Sequence, residues 1–288
     1  MEFKIVRSDL LKALRRTQGI IEKKPYMTIL ASVLLEAKPG TLVVSATNLG
    51  IWLTGSYPAD VKQPGSITLA GRALFNIVKS LPEATVSLKL VANNCVEISC
   101  AKVDYKVVGL AAKDFPVHPQ FESVEMFTIP RAAIKEMIDK TLYSVSTDET
   151  RYNLTGIFFE SIADRPGLRM VSTDGYRLAI IEQPLESRPV LKRGQIVPRK
   201  GVIEMRRLLD DGDDTARISF IDNSAVFEKD GLTLTMRRIE GAFPDYRQVI
   251  PTGHNKKLTL LRQSFLQALK QISILSPDKG VRLDMSPG

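Results

Sequence analysis

Self-similarity at a long period constrains this chain more than any other feature, because a duplicated unit must fold stably beside copies of itself. Ser8-Asp9-Leu10-Leu11-Lys12-Ala13-Leu14 matches Ala132-Ala133-Ile134-Lys135-Glu136-Met137, and again Ser264-Phe265-Leu266-Gln267-Ala268-Leu269, making Leu11, Ile134 and Leu266 equivalent. Residues 29–36 parallel 153–160, pairing Leu30 with Leu154, and Thr47-Asn48 parallels Thr173-Asp174. A second helix at 72–81 matches 199–208, and a closing Phe115-Pro116 matches Phe243-Pro244. Offsets of 124, 126, 127 and 128 recur in one order across different kinds of element. Duplicated domains are therefore expected at 1–121 and 122–250, with a third beginning near 251 that supplies its first helix and is incomplete at Gly288.

Within each complete unit the pattern predicts strand, helix, alternating strands, a second helix and further strands. Turns fall at Lys38-Pro39-Gly40, Gln63-Pro64-Gly65 and Arg165-Pro166-Gly167. This is an α+β unit whose antiparallel sheet is covered on one side by two helices. The helices carry a second pattern: Leu10, Leu14, Thr17 and Ile21 oppose Lys12, Arg15 and Arg16, while Leu74, Ile77, Val78 and Leu81 oppose Arg72, Asn76 and Lys79. In the second unit Ile134, Met137, Ile138 and Thr141 oppose Arg131 and Lys135, and Arg199 and Lys200 precede Arg206 and Arg207 by two turns. Glu136, Asp139 and Glu204 dilute that charge, and Arg262 and Lys270 mark the last helix only loosely. One basic helix face is ordinary solvated surface. Recurrence on equivalent helices instead points to a shared polyanion, met through phosphates without reading base edges.

Net charge favours such a partner: 40 Lys and Arg against 32 Asp and Glu give +8, split 15 to 9 in 1–121, 19 to 21 in 122–250 and 6 to 2 thereafter. Cys95 and Cys100 stand five apart in a strand-like run, on opposite faces, which argues against a mutual disulfide and fits a reducing cytosol. The amino terminus does not read as a signal peptide, and no apolar run approaches the roughly 20 residues of a bilayer span, so a cytoplasmic protein without membrane partners is expected. Catalytic constellations are lacking. His118 and His254 read as surface loop residues, Pro198-Arg199-Lys200-Gly201 is not a phosphate loop, and Cys95 and Cys100 have no His partner for zinc. Asp210-Asp211-Gly212-Asp213-Asp214 is the one candidate for metal-assisted chemistry and reads better as a solvated loop after a helix. No cofactor, metal or catalytic residue is expected.

Four runs carry a family resemblance: Val197-Pro198-Arg199-Lys200-Gly201-Val202-Ile203-Glu204, Ser172-Thr173-Asp174-Gly175-Tyr176-Arg177-Leu178, Gly241-Ala242-Phe243-Pro244-Asp245-Tyr246 and Ala111-Ala112-Lys113-Asp114-Phe115-Pro116. They resemble signatures of the bacterial sliding clamp, the beta subunit of DNA polymerase III, and the similarity extends from residue 1 to about 285. The resemblance implies a non-catalytic processivity factor of three similar domains, two subunits forming a head-to-tail ring with helices lining a central hole and sheets outside. Lys12, Lys24, Arg72, Lys79, Arg151, Tyr152, Arg199 and Lys200 would then lie at or near double-stranded DNA. Leu154, Thr173, Gly175, Tyr176, Arg177, Leu178, Pro244 and Val249 would line a cleft for a short apolar peptide. Its donors would be the DNA polymerase III alpha subunit, the clamp loader complex, other clamp-binding polymerases and repair proteins. Leu74, Ile77 and Tyr105 on one end, with Ile274 and Leu275 on the other, would meet between subunits.

Plainer explanations stand beside each assignment: strand core for the apolar residues and an Asx-type turn for Thr173-Asp174-Gly175. The chain also departs from the family, being net basic where clamps are usually acidic outside the hole, and stopping where the family continues for most of a third domain. Two other functions compete: a basic nucleic-acid-binding scaffold that docks on DNA without encircling it, and a metal-dependent nuclease using Asp211 and Asp213.

Overall fold

The computed structural model describes the whole chain except residues 23–25, 120, 122–124, 187, 190, 192–193, 211, 213, 254, 256, 276–280 and 285–288. It divides into two compact units, Met1–Pro244 and Asp245–Gly288. The first opens with β1 (Glu2–Val6), α1 (Arg7–Thr17), β2 (Ser32–Lys38), β3 (Thr41–Thr47), β4 (Ile51–Pro58) and β5 (Asp60–Gln63). It continues with β6 (Gly65–Ala70), α2 (Gly71–Ser80), β7 (Thr85–Leu90), β8 (Cys95–Cys100) and β9 (Val103–Val108). A second copy follows: β10 (Phe127–Pro130), α3 (Arg131–Thr141), β11 (Gly156–Ser161), β12 (Gly167–Thr173) and β13 (Leu178–Pro184). It closes with β14 (Gln195–Pro198), α4 (Arg199–Leu208), β15 (Thr215–Ile221), β16 (Ser224–Lys229) and β17 (Leu232–Arg237). The second compact unit holds a 3-10 turn, Tyr246–Val249, and α5 (Arg262–Ser273).

The strands form three antiparallel sheets, β5-β1-β7-β8-β9, β10-β15-β16-β17-β4-β3-β2-β6 and β13-β12-β11-β14. Their registers repeat residue by residue. Ser32 opposite Ala70 becomes Gly156 opposite Pro198, and Leu34 opposite Ser45 becomes Phe158 opposite Val171. Thr47 opposite Trp52 becomes Thr173 opposite Leu178, and Ile98 opposite Tyr105 becomes Phe227 opposite Leu234. Since a one-residue slip would turn every side chain to the wrong face, matching registers mean matching cores. The copies join where β17 pairs with β4, Thr235 opposite Trp52, so one eight-stranded sheet runs through both.

These registers correct two sequence alignments. Helices α1 and α3 begin at Arg7 and Arg131, so Leu10, not Leu11, is the counterpart of Ile134; both are fully buried, whereas Leu11 is half-buried. Helix α2 runs Gly71–Ser80 and aligns with Arg199–Leu208, one residue earlier than 72–81, because Ala70 and Pro198 occupy the same ladder position. Helical spacing then places Leu10, Ala13 and Leu14, Leu74 and Val78, Ile134 and Ile138, and Val202 and Met205 inward. With Phe3, Phe159 and Phe227 they form one core cluster, each large side chain contributing about 1.5–3 kcal/mol by burial.

Each second helix is closed by an arginine from the first. Arg7 Nε donates to the Val78 carbonyl at 3.1 Å and Nη2 to that of Lys79 at 2.7 Å, the last carbonyls of α2. Arg131 Nη1 donates to the Leu209 and Asp210 carbonyls at 3.5 and 3.4 Å beyond α4. Both satisfy terminal acceptors that helix geometry leaves open and place positive charge at the negative dipole end.

Candidate functional site

Helices α1 and α4 meet in a groove of about 870 Å³, with Lys12, Arg15 and Arg16 on one wall and Glu204, Arg207 and Asp210 on the other. A contiguous hollow of about 750 Å³ adds Arg72, Arg199 and Lys200. Lys12, Arg15, Arg72, Lys79, Arg199 and Lys200 are all exposed, and no ion pair among the described residues involves them. Other cations of the second copy are spent locally: Lys135 on Asp210 at 3.0 Å, Arg131 on Asp214 at 3.5 Å, and Arg206 on Asp139 and Asp210 at 2.7 and 2.6 Å. The uncompensated charge thus lies on α1, α2 and the start of α4 and is missing from α3.

Asp210 and Asp214 are therefore counter-ions, and hydrogen bonds from Lys135 and Arg206 hold the Asp210 carboxyl below its ordinary range. Asp211 and Asp213 lie outside the described residues, among which no cluster of His, Cys, Asp and Glu suits a metal. Burial pushes the Glu204 carboxyl up although Arg207 donates to it at 2.7 Å. Gly19 of the first copy backs onto this pair, where a β-carbon would collide with both side chains.

A 3-10 turn, Glu149–Leu154, carries residues of both predicted surfaces. Asp148 caps it, accepting from the Thr150 amide at 3.0 Å and from Arg151 Nε at 3.0 Å. Leu154 turns inward, and Arg151 and Tyr152 face out. The Arg151 guanidinium rests on Gly175, where a β-carbon would stand 2.7 Å from Nη1. The Tyr152 ring abuts Gly241. Asn153 Nδ2 donates to the Ala242 carbonyl at 3.0 Å, and Phe243 stacks on Phe158 at 4.8 Å.

Thr173-Asp174-Gly175 is the Asx turn its composition suggests. Thr173 Oγ1 donates to the Arg177 carbonyl at 2.8 Å and accepts from the Gly175 amide at 3.0 Å. Asp174 Oδ1 accepts from the amides of Tyr176 and Arg177, both at 3.0 Å, and Oδ2 from Arg177 Nε at 3.0 Å. Burial opposes ionisation of Asp174, but these donors outweigh it and hold the carboxyl below its ordinary value. The turn leaves Tyr176 93% exposed and sets Arg177 over the Tyr143 ring at 5.5 Å, with Leu178 half-buried and Pro244 exposed. Val249 is exposed on the Tyr246–Val249 turn of the second compact unit.

The first copy builds the same turn and then fills it. Thr47 Oγ1 donates to the Ile51 carbonyl at 2.9 Å and accepts from the Leu49 amide at 2.9 Å, and Asn48 Oδ1 accepts from the Ile51 amide at 2.8 Å. In the position of Gly175 stands Leu49, likewise at positive φ (+71° against +89°). Leu49 packs with Ile29, Leu30, Leu34 and Phe115, the counterparts of Asn153, Leu154, Phe158 and Phe243. A leucine plugs the hollow in one copy and a glycine leaves it open in the other. That contrast sat in the aligned motifs and was missed.

The remaining predicted residues are placed unevenly. Lys24 lies outside the described residues, as does His254. Leu74 is 2% exposed and belongs to the core, leaving Ile77, half-buried, and Tyr105, on the edge strand β9, as the surface of that end. Ile274 and Leu275 are exposed just after α5. His118 is no surface loop residue: half-buried, it shares a hydrogen bond of 3.1 Å between Nε2 and Thr235 Oγ1 and meets Trp52 edge-on at 6.4 Å, on the β4–β17 seam. Pro198 ends β14, and Gly201 packs on Met236 within α4, so that run is a strand-to-helix junction. Cys95 and Cys100 are both free. Among the described residues no helix is long and apolar enough to cross a membrane.

Comparison with known proteins identifies relatives over the whole chain. The family described as DNA polymerase III beta subunit, N-terminal domain, matches residues 1–119, and its central-domain counterpart matches 128–245. The beta sliding clamp of Caulobacter vibrioides is 35% identical over 294 residues, 100% of this chain and 79% of the relative. That of Escherichia coli K12 is 35% identical over 295 residues, 99% of this chain and 78% of the relative. The crystal structure of a sliding clamp from Bartonella birtlesii bound to griselimycin is similar with a TM-score of 0.92 and 31% identity, over 97% of this chain and 76% of that one.

Proposed function

This chain belongs to the family of the DNA polymerase III beta subunit, the bacterial beta sliding clamps, and we propose that it uses the two surfaces described above as its DNA track and its partner cleft. It is a DNA sliding clamp, a non-catalytic processivity subunit that keeps DNA polymerase on its template during replication. Lys12, Arg72, Lys79, Arg199 and Lys200 face the duplex from helices, joined by Arg151 and Tyr152 from the Glu149–Leu154 turn, and Lys24 is assigned to the same surface by its family match. Contacts to phosphate alone carry no sequence information and leave the protein free to slide.

The cleft takes an apolar peptide from the polymerase alpha subunit, the clamp loader complex or other clamp-binding polymerases and repair proteins. Leu154, Leu178 and Pro244 form its apolar walls, Thr173, Tyr176 and Arg177 its rim, and Gly175 its open floor. Clamp domains span 1–121 and 122–250, a third begins at 251, and the protein works in the cytoplasm.

Strand pairing carries the ring. The seam joins a β17 edge to a β4 edge, and β9 and β13, the counterparts of those two edges, have no outer partner among the described residues. Two complementary free edges on one chain suit a head-to-tail contact, and such contacts form a ring where their rotation closes. Tyr105 and Ile77 are the residues proposed to meet the other subunit at the β9 end. Loading the protein onto nicked circular DNA with an ATP-driven clamp loader tests the proposal. Retention on the circle with escape after linearisation is expected. Equal retention on linear DNA, lost steeply with salt, would mean a scaffold that docks without encircling.

A further inference from the structure

The start of β14, the β15–β16 turn and the end of β17 enclose a cavity of about 470 Å³ that none of the surfaces above uses. Arg238 lines it. Its side chain is half-buried, its Nε is sealed from solvent, and no acceptor among the described residues bonds its guanidinium. Neighbouring carboxylates do not fill that role. Asp222 and Glu240 act on the guanidinium only at a distance, and Glu240 is engaged instead by Asn223 Nδ2 at 3.3 Å and Arg237 at 4.0 Å. A guanidinium with five donors is costly to bury unpaired, and native structures seldom keep such groups without a use.

The duplication shows that the fold does not require this arginine. Arg238 donates its amide to the Asn223 carbonyl at 2.8 Å, and the first copy repeats that bond from Gly109 to Asn94 at 2.8 Å. The counterpart is thus a glycine, and a β-carbon there would press on the Thr68 carbonyl oxygen. The ladder forms as well with no side chain as with a long charged one.

We propose that this cavity is an oxyanion site, in which Arg238 binds a phosphate or carboxylate group through the two-pronged face of its guanidinium. The two terminal Nη groups, which stay open where Nε is sealed, donate in parallel to two oxygens, the geometry that distinguishes Arg from Lys. Local formal charge is balanced by Asp222 and Glu240, so hydrogen bonding rather than long-range attraction drives binding.

Arginine Nε–H resonances of the ¹⁵N-labelled full chain test this directly, with Arg238 assigned by its disappearance in Arg238→Lys. Sodium phosphate and sodium acetate are titrated separately against sodium chloride of equal ionic strength. A saturable shift of the Arg238 resonance is expected. Saturation by phosphate alone identifies a phosphate ligand, and saturation by acetate a carboxylate such as a bound protein would bring. An unchanged resonance, a shift reproduced by chloride, or one shared by the helix-face arginines would overturn the proposal. A matching fall in phosphate or acetate binding by Arg238→Lys, which keeps the charge, completes the test.

Discussion

His118 shows how much one side chain can report. Burial lowers its pKa below the ordinary histidine value, so as pH falls below about 6.5 the unfolded chain takes up the proton first. The stability contributed by neutral His118 is present above that pH and is lost on acidification. Trp52, the one tryptophan in the sequence, stands 6.4 Å away and is quenched by a protonated imidazole. Trp52 emission is expected to fall with a midpoint below pH 6.5, and His118→Gln to flatten both that profile and the acid-side decline in melting temperature. A profile unchanged in His118→Gln would assign the titration to another group.

Single elements are held by devices that recur between the copies. Arg7 and Arg131 close the helices α2 and α4, and Arg7 is also paired with Glu83 at 2.6 Å. Arg7→Ala is expected to cost about 1–2 kcal/mol in urea unfolding, since it frees two helix carbonyls and removes a charge from the dipole's negative end. At the 173–177 turn the copies differ by purpose. Leu49 demonstrates that a leucine fits the positive-φ position of this turn, so Gly175→Leu should retain the fold and close the hollow. Affinity for a labelled polymerase-tail peptide should drop by about tenfold or more, roughly 1.4 kcal/mol. Full affinity with a normal melting curve would remove Gly175 from the cleft.

Across the whole molecule, an excess of charge matters less than where it is left unpaired. Lys12 and Arg199 have no ion-pair partner among the described residues, whereas Arg131 and Lys135 are bound to Asp214 and Asp210. For binding to a linear duplex, Lys12→Ala with Arg199→Ala should lower the slope of log affinity against log salt by about 2, near 0.9 per phosphate contact. Arg131→Ala with Lys135→Ala should leave that slope unchanged and lower stability instead. Equal changes in slope from the two pairs would dissolve the distinction between track and scaffold.

The chain's order of elements, its duplication and the inward stripes of its helices were determined by sequence alone. Those properties follow from periods of 2 and 3.6 residues and from motifs copied whole, which neighbouring positions record. Tertiary structure alone decided the rest. The shift from Leu11 to Leu10 needed the starts of α1 and α3, and the shift of α2 against α4 needed the β2–β6 and β11–β14 ladders. Which cations remain free depended on Lys135 meeting Asp210 and Arg206 meeting Asp139, partners 75 and 67 residues apart. His118 left the surface because it packs on a strand of the other copy, 117 residues away. Charge pairing and burial are properties of proximity in space, and proximity between distant residues is set by packing rather than by any local pattern.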